Sequence, residues 1–156
     1  MEIKNILVPV DGSEGSDRAI THAISIAEIC EAKLNFLYVA NINQLAINAC
    51  LSDAILEAVT KAGNVILDRA MEMVPSGIEK EAFSETGSPA VVILDFATSN
   101  NADLIVMGSV SQQLLEESPV SVLVARNPAE TPAQEEGLLS QFTNLVKKSL
   151  PPLSRN

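Results

Sequence analysis

Three short segments of the sequence carry groups that suit ligand binding. The first is Asp11-Gly12-Ser13, in which a carboxylate precedes a flexible turn and a candidate helix start. Asp11 can accept hydrogen bonds from a ribose or an amino group. An Asp in this setting also forms turns by bonding nearby N–H groups, and the chemistry alone does not separate the two interpretations.

The other two segments offer backbone groups. Residues 37–41, with Val39 at their centre, have backbone groups that can meet the edge of a flat ring, although a buried strand end is the default explanation. Met107-Gly108-Ser109 joins an apolar run to a candidate helix through a glycine. Because the unpaired N–H groups and the dipole of a helix start attract anions, this junction predicts an anion site.

All three segments follow or end short apolar runs that predict strands. These runs are β-branched or continuously apolar and lie at residues 3–10, 34–40, 78–83, 104–107 and 120–125. Such continuity is typical of strands buried on both faces of a parallel sheet. Ligands of these sheets bind beyond the carboxyl ends of the strands, which is where the three segments stand.

Helical patterns separate the predicted strands. Apolar residues recur at three- and four-residue steps within residues 19–30 and 55–73. Candidate helix boundaries are an N-cap at Ser13, an N-cap and proline at Ser88-Pro89, a capping box from Ser109, and a stop at Ser118-Pro119. The order βαβαβαβαβ predicts one α/β domain over residues 1–126, a doubly wound five-stranded parallel sheet in three α/β/α layers.

The sequence changes character after Arg126. Residues 127–132 are typical of a linker, and Pro132 suits the first position of a helix. Five apolar residues then form one stripe, namely Leu138, Leu139, Phe142, Leu145 and Val146. We therefore predict a linker and an amphipathic C-terminal helix over residues 127–156, packed on its own domain or dimer, with another protein or a membrane surface as the alternative.

Charge and composition exclude several classes of protein. The chain has 10 Lys and Arg against 20 Asp and Glu, a net charge of −10 that belongs entirely to residues 1–126. This excess of acid opposes nucleic-acid binding, which depends on clustered Lys and Arg. No apolar run approaches the length of a membrane helix, and the N-terminus does not predict a signal peptide. We expect a cytoplasmic protein without a membrane span.

No catalytic or metal-binding constellation stands out. His22 is the single histidine and lies in a helical pattern, where a surface or half-buried position is the ordinary expectation. Cys30 and Cys50 lie in apolar, helix-like stretches and predict small buried side chains instead of a redox or metal site. The GxxxxGK[ST] and GxGxxG phosphate motifs are both missing. We predict no catalytic residue and no metal ligand.

Taken together, the segments resemble the universal stress protein family. The resemblance covers about the first 126 residues and rests on residues 5–13, 87–90, 102–111 and 119–126. It implies an adenine nucleotide alpha hydrolase-like sheet, usually in a homodimer, with ATP or a related adenine nucleotide bound in many members. Carried over by position, the cofactor-binding residues are Pro9, Val10 and Asp11 at the adenosine, Val39 at the adenine, and Met107, Gly108 and Ser109 at the phosphate junction.

The sequence departs from the family pattern at that junction. Nucleotide-binding members resembling this chain carry a loop G-x-x-G-x9-G-[ST] after the fourth strand, whereas here Gly108 serves as both ends. The loop is either truly absent, which leaves a short turn and a poor phosphate cradle, or a mobile segment is missing between Gly108 and Ser109. We favour the missing segment, because its removal would leave strand and helix undisturbed.

Two functions follow from these expectations. The first is a homodimeric stress-response module that binds ATP or AMP, with Mg²⁺ beside ATP and at most slow hydrolysis. The second is a protein that does not bind nucleotide and acts as an interaction module through its dimer surface and tail helix. The predicted dimer edge is the strand of residues 120–126, from Val120 to Arg126. An acidic domain that holds a polyphosphate needs Mg²⁺ or basic residues of a further loop.

Overall fold

Strands and helices alternate along the described part of the chain. A computed structural model describes residues 2–41, 52–109 and 112–126. The strands are β1 (Asn5–Pro9), β2 (Lys33–Ala40), β3 (Lys80–Thr86), β4 (Leu104–Met107) and β5 (Ser121–Val124). The helices are α1 (Glu14–Cys30), α2 (Asp53–Met73), α3 (Pro89–Ser99) and α4 (Gln112–Glu117).

The five strands form one parallel sheet in the order β3-β2-β1-β4-β5. β1 is central, with Val8 opposite Phe36 of β2 and Ile6 opposite Leu104 of β4. The chain winds outward from β1 to β3 and then crosses to β4 on the other side of β1. The predicted doubly wound sheet is confirmed, and its topological switch point lies between β1 and β4, where ligands of such folds bind.

Alternate side chains of the strands build a separate core on each face of the sheet. Ile6 and Val8 of β1 face a core completed by the apolar stripes of α1 and α2. Leu7 of β1 and Leu37 of β2 face a second core, which is completed by α3 and α4. Because both faces of β1 are covered, its residues are continuously apolar, and the three α/β/α layers are confirmed.

The two helices that start beside the cleft described below are capped differently. Ser13 precedes α1, and its Oγ accepts from the backbone N–H of Ser16 at 3.2 Å, as predicted. Ser88 occupies the corresponding position before α3 and Pro89 is the first helical residue, but the Ser88 side chain makes no capping hydrogen bond. The prediction that Ser88 caps α3 through its side chain is therefore wrong.

The chain is continuous from β4 through Gly108 to Ser109, and the full sequence contains no further residues at this point. The favoured expectation of a missing mobile segment is wrong; the connection from β4 is short. The tail helix, Cys50, and part of the predicted capping box from Ser109 lie outside the described residues. Within the described residues, Cys30 is a half-buried free thiol packed on the core, and His22 is exposed.

Among the helices that the structure describes, none combines the length and the apolar character needed to cross a bilayer.

Candidate functional site

A cleft of about 460 Å³ opens at the carboxyl ends of β1, β2 and β4. It lies at the switch point of the sheet and is closed laterally by the starts of α1 and α3 and by α4. Its volume falls in the range of small-molecule sites, roughly 300–1,000 Å³. The strand ends that the sequence singled out therefore meet in one concavity.

Six of the seven residues predicted to bind a ligand line this cleft. They are Pro9, Val10, Asp11, Val39, Met107 and Ser109. The seventh, Gly108, does not line it. The topology explains the convergence, because the carboxyl ends of neighbouring parallel strands share one edge of the sheet.

The wall of the cleft is apolar where β1 and β2 end. The backbone N–H of Val10 donates to the carbonyl of Leu37 at 2.9 Å, which ties the segment after β1 to β2. Val39 stands two residues further along β2 and is half-buried. Opposite, Ile93 of α3 contributes a buried aliphatic side chain. These surfaces suit a flat, largely apolar ring.

Asp11 forms the turn that was one of the two interpretations of this segment, and its carboxylate also lies on the cleft wall. Its Oδ1 accepts hydrogen bonds from the backbone N–H of Ser13 at 2.9 Å and from the Ser13 hydroxyl. The turn interpretation is thus confirmed, with Asp11 holding the cap of α1 in place. Among the described residues, no hydrogen bond reaches Oδ2, and the exposed carboxylate stands on the cleft wall. One oxygen forms the turn and the other remains an acceptor for a ligand.

The described wall of the cleft carries negative charge and no positive charge. Within the described residues, Asp11 is the single charged side chain on its wall, and no Lys, Arg or His lines it. The remaining polar groups are neutral hydroxyls and an amide, from Ser13, Ser16, Ser88, Ser109 and Gln113. In the part of the chain that is described, no group of three or more His, Cys, Asp and Glu residues is placed to hold a metal ion.

Gly108 has a packing role that its sequence context did not reveal. A Cβ atom built on Gly108 would lie 2.1 Å from the backbone carbonyl carbon and oxygen of Gly15. Nonbonded atoms do not approach each other that closely. Glycine is therefore required where the end of β4 passes the first turn of α1. This close approach explains Gly108 without any phosphate.

The helix after β4 is a weak anion site. α4 contains six residues, fewer than two turns, and ends in Glu116 and Glu117. A helix this short has a small dipole, and the two glutamates add negative charge to the same element. Ser109 is exposed and lines the cleft, but the helical surroundings expected to bind phosphate are poor.

Sequence reasoning missed part of the cleft wall. Ser16, Ser88, Ala90, Gln113 and Leu114 line it and were not singled out as binding residues. Ser88 was recognised as a helix start, and a helix that starts after β3 begins at the same edge of the sheet as the predicted site. That topological signal was sufficient to include Ser88 and Ala90. For Gln113 and Leu114 the sequence holds no comparable signal.

Comparison with known proteins identifies relatives over most of the chain. Residues 2–126 match the Universal stress protein family. Universal stress protein MJ0531 of Methanocaldococcus jannaschii is 30% identical over 141 residues, covering 80% of this chain and 83% of the relative. Universal stress protein YxiE of Bacillus subtilis is 31% identical over 114 residues, covering 67% and 77%.

Solved structures show the same fold. Universal stress protein UspA from Lactobacillus plantarum has a TM-score of 0.60 and 25% identity, covering 81% of this chain and 99% of that one. A universal stress protein in complex with cAMP has a TM-score of 0.57 and 24% identity, covering 81% and 98%. A family protein from Arabidopsis thaliana with AMP bound has a TM-score of 0.59 and 19% identity, covering 83% and 95%.

Proposed function

This chain belongs to the universal stress protein family, and we propose that it is a regulatory module that binds an adenine nucleotide, ATP or AMP, in the cleft and acts as a homodimer in the cytoplasm. The observation that carries the proposal is the convergence of six predicted residues on one cleft at the switch point. The AMP-bound and cAMP-bound relatives of the same fold support an adenine ligand.

In this proposal the adenine ring packs on Val39, and the ribose hydroxyls donate to Asp11. Val39 is half-buried and offers an apolar surface to the cleft near the carboxyl end of β2. Asp11 offers the oxygen that the turn leaves unbonded. ATP in this acidic setting requires Mg²⁺ to offset its charge, because the described wall contributes a carboxylate and no cation.

The test is a pair of carboxylate-to-amide changes. Asp11→Asn keeps an oxygen for the Ser13 N–H and removes the charge offered to the ribose. Hydrogen bonds to charged groups are worth about 1.5–3 kcal/mol, so we expect adenosine affinity to fall roughly 10- to 100-fold in calorimetric titration. Asp95→Asn is the matched control, since Asp95 is an exposed residue of α3 that lines a different depression.

Three outcomes decide the proposal. Binding of adenosine that weakens in Asp11→Asn alone supports it. Equal affinities in Asp11→Asn and Asp95→Asn would contradict the ribose role of Asp11. No heat with adenosine, AMP or Mg-ATP at millimolar concentration would reject adenine binding altogether.

The homodimer is proposed from the contrast between the two edges of the sheet. Edge strand β3 carries charged side chains at Lys80, Glu81 and Glu85, which discourage pairing with another sheet. Edge strand β5 has no charged residue, and Val122, Leu123 and Val124 are only half-buried. An uncharged, apolar edge favours pairing with a second copy through the strand that leads to Arg126.

Matched lysine substitutions test this edge. Ser121→Lys places a charge on β5, whereas Ser84→Lys places one on β3, and both serines are exposed. Light scattering after size-exclusion chromatography should give a dimer for the native chain and for Ser84→Lys, and a larger monomer fraction for Ser121→Lys. A monomeric native chain at high micromolar concentration would reject the dimer.

The short junction after β4 favours a second candidate function. A protein without a phosphate cradle can act instead as an interaction module through its dimer surface and tail. That candidate predicts no binding of any adenine ligand, together with an altered oligomeric state when Leu138, Phe142 and Leu145 are all changed to Asp. Adenine binding that survives the triple change, with the oligomer intact, would reject it.

A further inference from the structure

We propose that the cleft selects for the nucleoside part of its ligand and against phosphate, so that affinity falls from adenosine to AMP to ATP. The inference rests on the proposed function, since it concerns the 5′ substituent of a ligand in the same cleft. It names the preferred chemical class as an adenine nucleoside with an uncharged 5′ group.

The order of the strands sets the direction in which the 5′ group points. β2, β1 and β4 are neighbours in that order. With the base on Val39 of β2 and the ribose at Asp11 after β1, the 5′ group extends toward the end of β4. There the lining side chains are Met107 and, from α4, Leu114, which are 9% and 1% exposed. These aliphatic surfaces suit an uncharged substituent.

The backbone at the end of β4 packs against the first turn of α1. Gly108 approaches the backbone of Gly15 so closely that a Cβ atom has no room, and Gly108 does not line the cleft. The following helix, α4, has only six residues. In consequence this side of the cleft supplies neither a glycine-rich loop nor a strong dipole for phosphate oxygens.

Two lysines belong to strands, and both lie at the amino ends of those strands, away from the cleft. Lys33 begins β2 and pairs with Glu81 at 2.9 Å and Glu79 at 3.2 Å; these carboxylates, Glu81 first, raise its pKa above the ordinary value. Lys80 begins β3, and its Nζ donates to the carbonyls of Met71 and Val74. A five-residue strand spans about 16 Å, so these cations are remote from the carboxyl edge.

The remaining cations of residues 1–126 do not line the cleft either. Lys4 precedes β1 and pairs with Glu2. Lys61 pairs with Glu57 along α2, and Arg69 pairs with Asp17. Arg18 lies within α1, while Arg126 is exposed after β5. Residues 42–51 and 110–111, which lie outside the described residues, contain no Lys or Arg in the sequence. A 5′-phosphate therefore faces Asp11 without a compensating cation from this domain.

The experiment ranks five ligands on the native full chain by calorimetry at low ionic strength. They are adenosine, 5′-methylthioadenosine, AMP, ATP with Mg²⁺ and ATP with EDTA. We expect both uncharged nucleosides to bind at least about fivefold more tightly than AMP, and ATP with EDTA to bind most weakly. Added salt should narrow the gap, because it screens repulsion between exposed charges.

A charge substitution shows whether AMP binds weakly because of its charge or because the cleft is too small for the phosphate. Ser109→Arg adds a cation beside the β4 end and should raise the affinity for AMP relative to adenosine at least about fivefold. Ser99→Arg is the matched control, since it adds the same charge beside a different depression. An unchanged ratio in Ser109→Arg would overturn the inference.

The ligand series distinguishes this inference from the proposed function. AMP or ATP binding as tightly as adenosine in the native chain would overturn the selection against phosphate while leaving adenine binding intact. No binding of any of the five ligands would reject the proposed function, and the inference with it.

Discussion

The two halves of the cleft differ in what their residues contact: one half presents groups to the cleft, and the other packs against a helix. At the ends of β1 and β2 the wall combines apolar surface at Val39 with a carboxylate oxygen of Asp11 that the α1 cap leaves unbonded. At the end of β4 the backbone packs against α1 through Gly108 and Gly15, and a six-residue helix follows. The first half retains groups that meet a ligand, whereas the second is committed to packing.

If the proposed function is right, this difference teaches that the nucleoside and phosphate parts of one site can be built independently of each other. A nucleoside is recognised by shape and by a few hydrogen bonds, which the strand ends supply directly. A polyphosphate needs many N–H donors or cations, which must come from a loop and a helix start. In the proposed account, a short connection after β4 therefore changes the preferred ligand charge without disturbing the sheet.

The largest expected effect comes from the glycine pair that defines the packed half. Gly108→Ala places a Cβ 2.1 Å from the Gly15 carbonyl, so the backbone of β4 or α1 must move. Overpacking of this kind lowers the free energy of unfolding by about 3 kcal/mol at the upper end of its usual range. Urea denaturation measures this loss as a lower midpoint concentration. The matched change is Gly15→Ala, whose Cβ meets Gly108 at an ordinary 3.5 Å.

Gly15→Ala should be neutral or stabilise the protein by about 0.5–1 kcal/mol, because alanine favours helix over glycine. Two facing glycines are thus expected to respond in opposite directions. Equal losses of stability in both variants would show that the contact does not have the geometry described.

A smaller effect separates the two serines before the helices. Ser13→Ala removes the Oγ that caps α1 and should cost about 1 kcal/mol in the free energy of unfolding. Ser88→Ala should cost much less, because its hydroxyl makes no capping bond to α3. Denaturation of both variants measures the difference, and a loss at Ser88 as large as that at Ser13 would mean that Ser88 caps α3 after all.

The smallest effect is expected at Arg126. This residue is exposed after β5 and does not line the cleft. Arg126→Gln should change the affinity for adenosine and for AMP less than about twofold in calorimetric titration. A selective loss of AMP affinity would instead show that Arg126 completes a phosphate site, and the contrast between the two halves would fail.

The sequence predicted the sheet well because its signals are local. Five apolar runs and two helical stripes were sufficient for the fold, and Asp11 and Val39 were found from their position at strand ends. The role of Gly108 was not predictable, because its contact with Gly15 joins residues far apart in the chain. The unbonded hydroxyl of Ser88 depends on side-chain geometry, which a residue pattern does not contain.

The most direct test of the account is to locate bound adenosine on the native chain by amide chemical shifts in NMR. We predict the largest shifts at Val39, Asp11 and the start of α3, and none at Lys33 or Lys80 on the opposite edge of the sheet. Shifts confined to that opposite edge, or no shifts at saturating adenosine, would contradict the central claim that the strand-end half of the cleft recognises an adenine nucleoside.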